Sequence, residues 1–239
     1  MALLPREEII GLSPDSEASF SYLRAQAKGL PKVRPRAEDI LLQQPDVVVR
    51  SYGGGATITS LLERSGIQVV QIGYANNITD IETIIVKAAN ALGYEERGLT
   101  LIQQLKHNPA KTRHGSPISS VLYLTSKGAV AGKNTMIDDI ITRSGHENFR
   151  TENGWASSLP LEELVYEVPD IIATGFFETS DMVSDIWTPT RHPVVQRLLA
   201  DIKIVNLPGA WTACAAWPVA NAVEALSATQ TPVGKSAND

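Results

Sequence analysis

Ala37-Glu-Asp-Ile-Leu-Leu-Gln-Gln-Pro-Asp-Val-Val-Val49 decides how this chain is read, because Leu161-Glu-Glu-Leu-Val-Tyr-Glu-Val-Pro-Asp-Ile-Ile-Ala173 repeats its plan. In each, an acidic amphipathic segment runs into Pro-Asp and then into a β-branched apolar run. Proline cannot continue a helix and biases its predecessor toward extended backbone, so each stretch reads as helix, break and buried strand. Between them, residues 78–108 read as two successive helices. One α-to-β unit repeated on either side of a helical connector predicts two similar lobes and a bridge.

Around these stretches the same rhythm continues. In the first half, residues 8–13 read as a buried strand, 19–28 as a helix ended by Gly29, 38–44 as a helix and 46–50 as a strand. A Gly-rich loop comes next, then a helix over 57–65 and a strand over 68–72. In the connector, Thr79-Asp-Ile-Glu82 has the spacing of a capping box, and Gly93 suits a helix C-terminus. A second helix starts near Glu95 and turns Leu99, Ile102 and Leu105 inward. Fourteen residues of helix span about 21 Å, enough to cross between small lobes. In the second half, strands are expected over 119–125, 170–174 and 203–207, and helices over 135–144, 161–168, 194–201 and 213–228. Short strands alternating with helices predict an α/β fold, two three-layer lobes with mostly parallel sheets. Residues 229–239 are polar and read as a disordered tail.

The chain has 239 residues, 43% apolar and 20% charged, which suits one large or two modest cores. A net charge of −5 argues against a nucleic-acid partner, whose proteins present a basic face. One cysteine, Cys214, excludes an internal disulfide and a cysteine-rich metal site. No apolar run approaches the roughly 20 residues that span a bilayer. Arg6-Glu-Glu8 comes too soon after the start for a signal-peptide core.

The loops after the strands carry the candidate site, since ligands of open α/β folds sit beyond the carboxyl ends of strands. Gly53-Gly54-Gly55 opens a helix but lacks the lysine and spacing of a P-loop, so it reads as close backbone approach or a tight turn. Ala131-Gly-Lys-Asn-Thr135 is a similar junction, either an anion site at helix amides or a helix capped by Asn134 or Thr135. The four histidines lack paired-ligand spacing, so no metal site is expected, and no nucleophile elbow or catalytic residue is visible. Aromatics are only 6% of the chain, yet Tyr52, Tyr74, Phe176, Phe177 and Trp211 come after expected strands and Trp155 lies in a long loop. Aromatics at strand mouths predict the walls of a pocket for a large flat ligand. With Gly53, Gly54, Lys127 and Gly132 they form the candidate ligand-binding set. No cofactor is expected.

Four further stretches carry a resemblance: Pro45-Asp-Val-Val-Val49 with its Gly-rich loop, Leu62-Glu-Arg-Ser-Gly-Ile-Gln-Val-Val70, Leu92-Gly-Tyr-Glu-Glu-Arg97 and Leu207-Pro-Gly-Ala-Trp-Thr-Ala-Cys214. In this order the chain, over residues 9–226, resembles the class III periplasmic substrate-binding proteins of ABC importers. The resemblance implies a non-enzymatic receptor that holds a metal chelate (ferric siderophore, corrinoid or haem) between its lobes. It implies delivery to an inner-membrane ABC permease, and a periplasmic or cell-surface lipoprotein location. It places an N-terminal lobe over 1–94, the bridging helix over 95–113 and a C-terminal lobe over 114–228. It also implies that residues 81–92 pack on the first lobe. Relatives read Trp-Thr-Cys-Gly-Gly-Pro where this chain has Trp211-Thr-Ala-Cys-Ala-Ala-Trp217, so the pocket floor is expected to differ. They also carry a strand and a helix ahead of the equivalent of residues 9–13. The first lobe is therefore expected to lack a strand or to fill the gap from another molecule, making an oligomer. The competing class is a two-lobed α/β enzyme, a nucleotide-sugar transferase or a nitrogenase-type relative, which needs a phosphate site or cluster cysteines that the sequence does not show.

Overall fold

The computed structural model describes residues 1–51, 56–106, 118–157, 163–176 and 200–230. The first half opens with two 3-10 turns, Arg6–Glu8 and Pro14–Glu17, rather than the strand expected over 8–13. Leu12 makes only an isolated parallel bridge to Lys32, with Leu12 N–H donating to Pro31 O at 2.9 Å and Val33 N–H to Leu12 O at 2.8 Å. With no strand ladder to join, the apolar run stays half-exposed. The helix expected over 19–28 shrinks to α1 (Arg24–Ala27). Single turns precede it instead, Ser21 N–H donating to Ala18 O at 2.9 Å and Arg24 N–H to Ser21 O at 3.2 Å.

From residue 37 the order matches expectation. Helix α2 (Ala37–Leu41) precedes β1 (Val47–Arg50), α3 (Ala56–Arg64) precedes β2 (Gln68–Gln71), and the strands pair in parallel, Val47 with Gln68 through Arg50 with Gln71. Leu62, Ile67 and Val70 are buried here, whereas Ala27 and Ala37 are the only buried apolar residues of the first 51.

Helix α4 (Ile78–Leu92) is capped by Asn77, whose side chain accepts from Asp80 N–H at 2.9 Å, and not by Thr79. Asn77 holds the extended backbone an N-cap needs, which leaves Thr79 inside the first turn. Glu82 accordingly does not reach back; it pairs with Lys106 at 2.7 Å on α5 (Glu95–Lys106). Helix α5 buries Gly98, Leu101 and Leu105, while Leu99 is 58% exposed, so the inward face is rotated from the expected one. Gly98 sets that rotation: a Cβ there would lie 2.6 Å from Ala89 Cβ, so only glycine lets the two helices approach this closely.

In the second half, β3 (Ser120–Thr125), β4 (Val130–Ala131), α6 (Met136–Arg143), β5 (Glu147–Asn148), β6 (Trp155–Ala156), α7 (Glu163–Tyr166), β7 (Ile171–Gly175) and β8 (Lys203–Leu207) build a six-stranded sheet with helices on its faces. Its order is β6-β4-β3-β7-β8, with β5 beside the start of β3. The ladders β5–β3–β7–β8 are parallel, and β4 and β6 run antiparallel. Two-residue strands such as β4 to β6 are too short to leave a periodic signal. Strand alternation divides the core: Val121, Tyr123, Ile171 and Ala173 face one cluster, Leu122, Leu124 and Ile172 the other, beneath Leu164. The chain closes with α8 (Gly209–Thr212) and α9 (Val219–Ser227), where one helix over 213–228 was expected. Pro218 explains the break, because it has no N–H to give and sits at the N-cap of α9.

The larger cluster also contains Ile78, Ile81 and Ile85 of α4, together with Leu101 and Leu105 of α5. Part of the stretch expected to pack on the first lobe thus also joins this cluster, while Lys87 Nζ donates to Gln71 O of β2 at 3.0 Å. A clamp reinforces this: Asp139 Oδ2 of α6 accepts from Ile78 N–H at 2.7 Å, satisfying a free amide at the start of α4.

Candidate functional site

The parallel register puts Thr125, Gly175 and Leu207 side by side at the carboxyl end of β3, β7 and β8. The segments leaving these strands therefore share one mouth: Lys127 in the turn to β4, Phe176 after β7, and Pro208 to Trp211 after β8. Gly132 lies directly after β4, and Trp155 on β6 pairs with Ala131. Lys127, Phe176 and Trp211 thus leave the same end of the sheet, whereas antiparallel β4 carries Gly132 back alongside the middle of β3, with Trp155 beside Ala131. Tyr74 stands apart, three residues beyond β2 and 52% exposed. Tyr52, Gly53, Gly54 and Phe177 lie outside the described residues.

A cleft of about 510 Å³ opens at this mouth, between the segment leading into α1 and the turn after β8. Ser19, Tyr22, Arg24 and Gln26 line one side; Pro208, Ala210 and Trp211 line the other. Its size lies within the roughly 300–1,000 Å³ usual for small-molecule sites. Each wall is held in place. Trp211 packs on the larger core cluster, as does Trp217. The Tyr22 ring stands edge-on to Trp217, centroids 5.9 Å apart at 88°. Arg24 Nη1 donates to Ser19 O at 3.1 Å and to Ser21 O at 3.5 Å, bracing the turn that carries Tyr22. Cys214, in the turn after α8, is exposed as a residue, while the surrounding atoms desolvate its thiolate and push its pKa up.

The junction of residues 131–135 resolves as a capped helix. Thr135 Oγ1 accepts from Asp138 N–H at 3.2 Å and donates to Gly132 O at 2.8 Å. Asn134 N–H donates to Asp138 Oδ2 at 3.1 Å, so the chain's own carboxylate takes the place an anion would fill. Gly132 is explained by packing: its N–H donates to Gly154 O at 2.8 Å, and a Cβ would overlap Glu152 O. Trp155 stands edge-on to Tyr123, centroids 5.9 Å apart at 81°, over a dent of only about 30 Å³.

Sequence reasoning missed Tyr22, Arg24 and Trp217. The first two fall in a stretch read as an ordinary helix, where an aromatic and an arginine look like two faces of an amphipathic surface. The available signal was Ser13-Pro-Asp and the serines after it, which mark residues 13–21 as turns and so free Tyr22 to face a cleft.

A family described as Periplasmic binding protein matches residues 6–199. Among solved structures, the chain is similar to the periplasmic heme-binding protein RhuT from Roseiflexus sp. RS-1 in apo form: 20% identity, 92% of this chain and 89% of that one covered, TM-score 0.71. It is similar to the periplasmic heme-binding protein HutB of Vibrio cholerae, with 22% identity, 90% and 87% covered, TM-score 0.67. It is also similar to the periplasmic heme-binding protein BhuT in complex with two hemes, with 22% identity, 92% and 87% covered, TM-score 0.66. Among curated proteins, none matches.

Proposed function

The chain belongs to the periplasmic binding protein family, and on that premise we propose that it is the solute receptor of an ABC importer and captures a metal chelate in the cleft between Tyr22 and Trp211. The observation that carries this reading is the cleft itself. It has two anchored aromatic walls, lies at the carboxyl ends of the strands, and is large enough for a ligand of several hundred Å³. The haem-binding of the structural neighbours supports a metal chelate as the solute class. Tyr22 and Trp211 supply apolar faces, and Lys127 and Phe176 leave the same end of the sheet. The partner is an inner-membrane permease and the compartment the periplasm or cell surface. No helix among the described residues is long and apolar enough to cross a membrane.

Native mass spectrometry of the purified chain with iron(III) protoporphyrin IX, a corrinoid and ferric siderophores tests the reading. One of these chelates is expected to add to the protein in a 1:1 complex and to be recovered unchanged. Absence of every adduct would count against it. The reading extends to a second molecule at the first lobe, where Leu42 is 77% exposed and β1 pairs with β2 alone among the described residues. Sedimentation at micromolar concentration is expected to show a dimer, and a monomer removes this part.

A further inference from the structure

We propose that Arg24 makes the cleft selective for an anionic solute, one that presents a carboxylate or catecholate oxygen to the guanidinium and a flat apolar face to Trp211 and Tyr22. The inference rests on the receptor reading above and names the charge of what that receptor takes.

The chain carries a net charge of −5, yet among the described residues lining the cleft the only charged side chain is a cation. No carboxylate of the described residues pairs with Arg24; its hydrogen bonds go from Nη1 to the carbonyls of Ser19 and Ser21. A guanidinium has five N–H donors, so most of its donor capacity is left for a ligand. The bond to Ser19 O also restrains the side chain before any solute arrives, which lowers the ordering cost of binding. Arginine's planar fork suits paired oxygen acceptors, and a charge-assisted bond inside a cleft is stronger than a neutral one. Trp211 and Tyr22 add the apolar half of the recognition from the same cleft. A cationic chelate would meet a like charge with no acid among the described lining residues to offset it.

The test pairs chelates that differ in charge. Iron(III) protoporphyrin IX is set beside its dimethyl ester, and an anionic ferric tris-catecholate beside a cationic ferric trihydroxamate. Each is titrated into the wild type, Arg24→Gln and Arg24→Lys. The anionic member of at least one pair is expected to bind the wild type about tenfold or more tightly than its counterpart. Arg24→Gln is expected to weaken that anionic probe by about 10- to 100-fold, in line with a lost hydrogen bond to a charged group. The ester or cationic probe should lose clearly less, while Arg24→Lys recovers part of the anionic probe's loss. Equal binding of the anionic probe by wild type and Arg24→Gln overturns this inference alone, as does wild-type preference for the uncharged or cationic partner. If the wild type binds none of the four, the receptor reading falls and this inference with it. Circular dichroism verifies that both variants fold, and the wild-type comparison of paired probes decides the matter should either variant not.

Discussion

His146 shows how much one buried side chain can tie together. It is 4% exposed, with Nε2 lying 3.2 Å from Leu226 O and 3.0 Å from Thr229 Oγ1, so it fastens the end of α6 to the end of α9. Its Nδ1 is buried without a partner among the described residues. Burial pulls its pKa below the ordinary value; the bond to Leu226 and the charge of Asp170 oppose this, and Lys203 adds to it. The neutral imidazole is therefore favoured in the folded state. Its contribution is full above the unfolded value of about 6.5 and is lost as pH falls through the lower folded value. Urea titrations from about pH 7.5 to 5 should show the wild type losing stability that His146→Gln keeps. Parallel curves would contradict this assignment. Gly132 acts at the same scale, and Gly132→Ala forces a methyl against Glu152 O. A loss of about 1–3 kcal/mol is expected for such overpacking, read as a lower urea midpoint at unchanged slope.

Among the elements, the joint of α4, α5 and α6 decides how the two halves of the chain are held. Asp139 accepts from Ile78 N–H at 2.7 Å and from Arg143 at 2.9 Å. The Arg143 side of the pair is open to solvent and contributes little, so Asp139→Ala should cost about 1–3 kcal/mol through the orphaned amide of α4. Asp139→Asn, which keeps an acceptor, should cost less; thermal melts of the two variants measure the difference. The existence of α4 and α5 was legible, because Ile81, Ile85 and Ala88 keep helical spacing and Gly93 ends α4 in a left-handed turn with φ 73°. The partners of these helices were not. A helical stripe says which residues are buried but not against what, and Ile81 carries no mark that points to β3 rather than β2. The same limit rotated α5: Gly98 looks like a weak helix residue until the neighbouring Ala89 is known. At the candidate cleft, the place of Trp211 just beyond β8 was legible, because it follows that strand directly in sequence. Tyr22 and Arg24 were not, since their role depends on Pro208 and Trp211 lying across the cleft, far along the chain.

In the molecule as a whole, a core running from α4 through the six-stranded sheet to α9 meets a sparsely buried first segment that supplies half of the cleft. A wall fixed to a continuous core and a wall held by turns suggest a cleft that is formed before the solute arrives, with adjustment confined to residues 13–28. Cys214, close to Trp211 in sequence, provides a reporter of occupancy: its alkylation should slow in the presence of a saturating chelate, and an unchanged rate would place the solute elsewhere. The most direct test of chelate capture is an equilibrium titration of tryptophan emission with iron(III) protoporphyrin IX, a corrinoid and ferric siderophores, run on the wild type and on Trp211→Leu. At least one chelate is expected to quench the wild type saturably, with far less response and weaker binding in Trp211→Leu. Capture in this cleft is contradicted if no chelate in the panel changes the emission, or if the variant binds its chelate as tightly as the wild type.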